Sequence, residues 1–247
     1  MTGEVWRGAY ATVEEAHVAA GEQSSCVWEL ESWLYRQRDL AGRTSELVRT
    51  GCQGARPSLL PALFAGSPRA VIVDLGGGSG WVRELLSELG LPPHRYIVRD
   101  LAPVVDFYIE QPIAGVEYQY VEDISLDADE PIDLLYANSS LQYMPDNAGL
   151  LDQVRRLRPR TLLIDELLWA PGDQDWFTVQ INSESASVAR FASLRRLVAE
   201  VEHEGMKLVW NGAFGAGHAG YVYPEMAKLP ANLAVDHAKT LVFVRGT

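Results

Sequence analysis

The chain of 247 residues carries 33 acidic against 21 basic side chains, a formal net charge of -12 at pH 7, and is long enough to bury a sizeable core as one domain or one domain with an attached cap. The acid excess argues against nucleic acid as a partner, because affinity for a phosphate backbone rests on Lys and Arg displacing counterions. No window approaches the apolar length of a membrane span, and the opening MTGEVWRGAYATVEEAH has no apolar run behind a basic start, so the expected home is the cytoplasm.

Residues 1–68 read as helices and form an expected N-terminal helical cap. Thr12 followed by Glu15 is a capping-box pattern that opens a short helix, which Gly21 stops. Val27, Leu30, Trp33 and Leu34 then recur at helical spacing up to Gly42, and PSLLPALFAG is a proline-punctuated link. From Arg69 the pattern changes to short apolar runs alternating with helical stretches, the signature of βαβ units around a mostly parallel sheet covered on both faces. The runs are AVIVDL (70–75), RYIVRDL (95–101), VEYQYV (116–121), IDLLYANS (132–139) and TLLIDELLW (161–169), with helices predicted over 80–89, 103–110 and 147–158. Val188, Phe191, Leu194, Leu197, Val198 and Val201 predict a further helix closed by Gly205. Two last strands, KLVWNGAF (207–214) and TLVFVR (240–245), flank a long connection that is either functional or mobile. Residues 69–247 are thus expected to form the second domain.

Cys26 and Cys52 make no CxxC pair and no ligand cluster with the scattered histidines, so neither a structural metal nor a disulfide framework is expected. The chemistry points instead to VIVDLGGGSGWVRELL, where Gly76, Gly77, Gly78 and Gly80 follow a strand and precede a helix. Glycine adopts positive φ without strain and admits a ligand close to the backbone; the free N–H groups at the start of the next helix suit a polar or anionic group. Both frames of the dinucleotide fingerprint fail, since the third glycine is replaced by Trp81 or Arg83, and the absence of a Gly-Lys dipeptide excludes a triphosphate loop. A nucleoside-type ligand without a pyrophosphate remains.

DLGGGSG after a hydrophobic strand resembles motif I of the class I S-adenosylmethionine-dependent methyltransferases, an acidic residue followed by GxGxG, with Asp74, Gly76, Gly78 and Gly80 in those positions. The resemblance implies a Rossmann-like α/β fold with a seven-stranded sheet, S-adenosylmethionine as cofactor with S-adenosylhomocysteine as product, and methyl transfer to a small-molecule acceptor. It also implies that Asp100, ending the second strand, clasps the ribose hydroxyls beside Leu101. Asp123 and Ile124 would read the adenine, with Glu122 as a competitor. Asn138, Ser139 and Ser140 would line the methyl-transfer cleft.

The opening WRGAYATVEEA, SSLQYMPD and FTVQ are similar to a group of bacterial methyltransferases from surface-glycan and natural-product gene neighbourhoods. That group carries arginine after the acid of the fifth strand, where this chain reads Asp165 and Glu166, so the cation expected for an anionic substrate is missing. If the acceptor must lose a proton, His218 in the long connection and Glu166 are candidate bases; a carboxylate acceptor needs none. Tyr10 and Tyr143 are candidate acceptor contacts. Trp28 and Trp33 are expected to hold the cap's helices together. The N-terminal segment is a lid or, in a homodimer, a subunit interface. Two alternatives share the scaffold: an enzyme that uses the cofactor for cyclisation or elimination, and a non-catalytic binding protein.

Overall fold

The computed structural model describes residues 6–21, 30–50, 63, 69–123, 131–181, 185–214 and 237–246. In chain order the elements are β1 (Trp6–Tyr10), α1 (Val13–Ala20), α2 (Glu31–Thr50), β2 (Val71–Leu75), α3 (Trp81–Glu88), β3 (Arg95–Asp100), α4 (Ala102–Glu110), β4 (Glu117–Tyr120) and β5 (Leu134–Asn138). After a 3-10 turn (Leu141–Tyr143) come α5 (Ala148–Leu157), β6 (Thr161–Leu167), β7 (Trp169–Ala170), β8 (Trp176–Ile181), β9 (Ala186–Ser193), α6 (Leu194–His203), β10 (Met206–Ala213) and β11 (Lys239–Arg245). The seven-stranded sheet runs in the order β10-β11-β6-β5-β2-β3-β4. The β2–β3, β2–β5 and β3–β4 pairs are parallel and β10–β11 is antiparallel. The expected Rossmann-like α/β architecture is therefore present, and each of the seven strands read from the sequence is found in this sheet.

Two compact units divide the chain: residues 28–138 with 156–163, and residues 1–27 with 139–155 and 164–247. In the first, β2 is buried along its whole length, as a central strand covered on both faces must be. Leu34 of α2 packs with Val104 and Tyr108 of α4, and Trp33 is partly buried against the same cluster. Trp33 thus packs on a helix of the glycine-loop half, a correction to its expected role between cap helices; Trp28 lies outside the described residues. The helix read up to Gly42 continues to Thr50, since a single glycine costs only about 1 kcal/mol in a helix that tertiary packing supports.

The second unit contains a four-stranded sheet, order β1-β8-β9-β7, that the sequence reading missed. Residues 6–10 are a strand, not a helix: WRGAY pairs antiparallel with β8, and Trp6 is buried in a cluster with Leu168, Ala170, Ala189 and Phe191. The α1 expectation is met in detail, with Thr12 Oγ1 accepting from the Glu15 N–H at 3.2 Å and Gly21 at φ 63° ending the helix. The predicted helix through Val188 and Phe191 is corrected. Those residues lie on β9, and α6 starts only at Leu194, because the Ser193 hydroxyl accepts from the Arg196 N–H at 3.3 Å and caps the helix there. The three-residue spacing of Val188, Phe191 and Leu194 spans a strand-to-helix junction and imitates one helical face.

Candidate functional site

The glycine turn leaves β2 in a conformation that side chains resist. Gly76, Gly78 and Gly80 have φ of 71°, 56° and 72°, in the left-handed region favoured by glycine. The Gly76 N–H donates to the Arg99 carbonyl at 2.7 Å and the Gly80 N–H to the Gly77 carbonyl at 2.9 Å, which folds the loop over the end of β3. Each glycine has its own reason. A Cβ on Gly80 would lie 2.9 Å from Val116 Cγ1, and one on Gly77 would lie 2.5 Å from Asp74 Cγ. A Cβ on Gly78 would meet only the tip of the Trp33 ring, at 3.6 Å. Gly77 and Gly80 are therefore demanded by the protein's own packing, whereas a Cβ at Gly78 would make only an ordinary contact with the Trp33 ring.

Asp100, at the carboxyl end of β3, turns its carboxylate to this loop. Its Oδ2 accepts from the Gly78 N–H at 2.9 Å and its Oδ1 from the Leu101 N–H at 2.8 Å. A carboxylate offers about four acceptor positions, so each oxygen retains one direction after these two bonds. Burial raises the Asp100 pKa, and the two backbone bonds work against that rise. Leu101 is the N-cap of α4 and its side chain is exposed.

Below the loop lies a set of tyrosines and acids. Asp74 is 2% exposed, and its Oδ2 accepts from the Tyr96 hydroxyl at 2.5 Å. Burial, opposed by this bond and assisted by the Asp100 charge, pushes the Asp74 pKa up to about 7. Burial and Asp74 together drive the Tyr96 hydroxyl well above its ordinary value. The Tyr118 hydroxyl donates to the Ser79 carbonyl at 2.9 Å, its ring stacks on Tyr108 at 5.3 Å, and its pKa is raised by burial to about 12. The loop is thus pinned from beneath at Asp74, Gly78 and Ser79. The sequence reading passed over Tyr96 and Tyr118 as apolar strand filling. The available signal was a hydroxyl-bearing ring at each of two positions that parallel register sets on the face of Asp74.

The other sequence candidates fall as follows. The Asp123 N–H donates to the Tyr120 carbonyl at 3.0 Å in a turn after β4, Glu122 is exposed, and Ile124 lies outside the described residues. Asn138 ends β5 with a buried Oδ1 that has no hydrogen-bond partner among the described residues. In the other unit Ser139 and Glu166 have φ of 55° and 54°. The Ser139 N–H donates to the Asp165 carbonyl at 3.1 Å. Strained non-glycine backbone at strand ends is a mark of functional sites. Glu166 is buried, and the Ser139 hydroxyl accepts from Gln142 Nε2 at 2.8 Å. Gln142, whose Oε1 is buried without a partner among the described residues, was missed because glutamine before a turn carries no distinct pattern. The Tyr143 hydroxyl donates to Gln180 Oε1 at 2.7 Å. Tyr10 packs against the cluster of Ala20, Val179 and Ala186. His218 lies outside the described residues. Among the described residues no group of three or more His, Cys, Asp or Glu is arranged to hold a metal ion.

The chain is 29% identical over 169 residues to a trans-aconitate 2-methyltransferase of Methylobacterium nodulans, covering 62% of this chain and 65% of that protein. It is 34% identical over 95 residues to the trans-aconitate 2-methyltransferase of Azoarcus sp. strain BH72, covering 38% and 37%. It therefore spans less than two thirds of either relative. No protein-family model matches. Among solved structures, the CcbJ methyltransferase from Streptomyces caelestis superposes with a TM-score of 0.51 at 14% identity, over 76% of this chain and 87% of that one. The chain thus has the fold of a class I methyltransferase. In this methyltransferase fold the turn at the carboxyl end of the first parallel strand, here the glycine turn after β2, lies where open α/β sheets take their ligands.

Proposed function

We propose that the chain is an S-adenosylmethionine-dependent methyltransferase acting on a small-molecule acceptor. The observation that carries this reading is the Asp100 carboxylate held on the Gly78 N–H with acceptor positions to spare, beside a glycine whose backbone is left-handed and whose uncrowded Cβ position meets only the tip of the Trp33 ring. These residues fit the cofactor: Asp100 would bind the ribose hydroxyls, the glycine loop would admit the amino-acid tail, and the acids would favour a cation. S-adenosylmethionine, when bound, supplies a methyl group on sulfonium. The protein's task is then to bring acceptor and methyl into line, which can supply most of the acceleration.

Because positive charge is lost from sulfur during transfer, the acids serve binding more than rate. Asp123 and Ile124 are proposed to face the adenine, and Asn138 and Ser139 the transferring methyl. Tyr10 and Tyr143 are proposed to meet the acceptor. Glu166 and His218 would take a proton from a hydroxyl or ammonium acceptor; a carboxylate acceptor would leave both idle. The relatives' name makes an unsaturated polycarboxylate such as trans-aconitate the first acceptor to test, followed by hydroxylated and aminated metabolites of natural-product or glycan biosynthesis. A cap over residues 1–68, a cytoplasmic home and a homodimer belong to the same proposal.

Calorimetry with S-adenosylmethionine and S-adenosylhomocysteine tests the cofactor, and transfer of labelled methyl to these acceptors tests the reaction. Heat from neither cofactor form would end the reading. Label that stays on the cofactor while an acceptor is rearranged would replace transfer by non-methylating chemistry.

A further inference from the structure

Tyr96 has no part in the functional reading above, although its hydroxyl bonds Asp74, the acid that precedes the glycine loop. Among the described residues no cation lies against Asp74. Its hydrogen-bond partner is a neutral phenol, and its carboxyl occupies the space beside Gly77 where a side chain would otherwise stand. The groups facing the pair are Asp100 on β3, Tyr136 on β5 and Tyr118 on β4; beyond them, Tyr108 of α4 interacts with Tyr118, Asp100 and Arg38 of α2. Tyr136 is aligned with Asp74 across the β2–β5 ladder. A carboxyl so enclosed can change its charge without breaking an ion pair, and that change takes place directly under the loop.

We propose that the Tyr96 hydroxyl is a positioning group of the cofactor site: by donating to Asp74 Oδ2 it holds that carboxyl against the Cα of Gly77 and sets the charge that the glycine loop presents to a cationic ligand. The proposal rests on the methyltransferase reading. A phenol donating to a carboxylate favours the ionised form, so Tyr96 lowers the pH at which Asp74 loses its proton. S-adenosylmethionine carries a sulfonium that S-adenosylhomocysteine lacks, and a new negative charge below the loop favours the sulfonium form more.

The test is calorimetry of the full chain with both compounds from about pH 5.5 to 9, for the wild type, Tyr96→Phe and Asp74→Asn. In the wild type, affinity for S-adenosylmethionine rises with pH through a midpoint near 7, and that for S-adenosylhomocysteine rises less. In Tyr96→Phe the midpoint moves up by on the order of one pH unit and affinity at pH 7 drops several-fold; in Asp74→Asn the midpoint disappears. A merely structural tyrosine would lower affinity equally at every pH. Superimposable midpoints in the wild type and Tyr96→Phe, or a midpoint that persists in Asp74→Asn, would overturn this inference while leaving the cofactor reading intact. No binding by the wild type at any pH would overturn both. A measurement on the ligand-free wild type serves if Tyr96→Phe does not fold: the Tyr96 Cζ and Asp74 carboxyl carbon resonances must titrate with one shared midpoint, and separate midpoints overturn the proposal.

Discussion

Two of the buried aspartates, Asp175 in one unit and Asp74 in the other, are treated in opposite ways. Asp175 is surrounded by donors: Arg190 Nη1 donates to it at 3.1 Å, Arg196 donates to the same oxygen, and the Ser193 N–H donates to the other at 2.7 Å. Arg190, 1% exposed, also donates to Asn147 Oδ1 at 2.8 Å, and burial lowers its pKa against the pull of Asp175. Asp74 receives one phenol bond and is pushed toward neutrality instead. A charge locked between two guanidinium groups can only hold β9 and the start of α6 in place. A carboxyl left to titrate beneath a ligand loop can also respond to what the loop binds. The contrast separates a buried acid locked by cations from one pushed toward neutrality more sharply than burial alone does.

The harshest way to break that contrast is to remove the locked acid. Asp175→Ala leaves Arg190 buried beside an amide oxygen alone, and removing one partner of a buried pair costs about 3–5 kcal/mol. Thermal unfolding should show a correspondingly large fall in Tm, with any cofactor affinity that survives in the folded fraction unchanged. A fall equivalent to less than about 1 kcal/mol would mean that the pair behaves like an exposed one.

The titrating acid should respond with the opposite sign. The folded pKa of Asp74 is about 7 against an ordinary 3.8, so the folded state binds the proton more tightly than the unfolded chain. The cost of Asp74 is absent below pH 4, grows as pH rises through 4 to 7 and is fully present above 7. Asp74→Asn should therefore stabilise the protein at pH 8 by about 4 kcal/mol, on the scale of about 1.4 kcal/mol per pKa unit, and leave it unchanged near pH 4. Equal effects at both pH values would show that Asp74 is not the group that titrates.

Asp100→Ala sharpens the comparison at the ligand itself. Charge-assisted bonds to the ribose predict an affinity loss of about 1–3 kcal/mol for S-adenosylhomocysteine. Because the Gly78 and Leu101 N–H groups lose their acceptor in the same step, Tm should fall as well. A loss of stability with no loss of affinity would make Asp100 a clamp on the loop and nothing more.

The two units also differ in how much of them could be read from the sequence. Asp74, the glycines and Asp100 sit within one βαβ stretch, where strand, turn and strand follow each other and parallel register fixes the rest. The seven-stranded sheet was legible because its strands are short apolar runs bounded by turn residues. The four-stranded sheet was not, since β1 finds its partner β8 about 170 residues away and Arg190 places a charge inside β9 where an apolar residue would have marked a strand. Tyr96 and Tyr118 were hidden for a different reason: a tyrosine in a buried strand reads as hydrophobic bulk, and the target of its hydroxyl is set by tertiary packing.

Tyr143 provides the finest cut between the two kinds of role. Its hydroxyl donates to Gln180 Oε1 at 2.7 Å, tying the turn after β5 to β8, and its ring packs on the Trp6 and Phe191 cluster. Tyr143→Phe keeps the ring and removes one hydrogen bond, so stability should fall by about 0.5–1.5 kcal/mol. Cofactor affinity should stay constant, because the residue belongs to the unit that does not hold the glycine loop. If the hydroxyl has no further duty, methyl transfer keeps its kcat and KM for the acceptor. If it also meets the acceptor, as proposed, KM rises without a matching change in S-adenosylhomocysteine binding. A variant that weakens cofactor binding and acceptor KM together would instead mean that loss of the Gln180 bond disturbs the fold beyond its own neighbourhood, and Tyr143 would then join Asp175 as a purely structural residue.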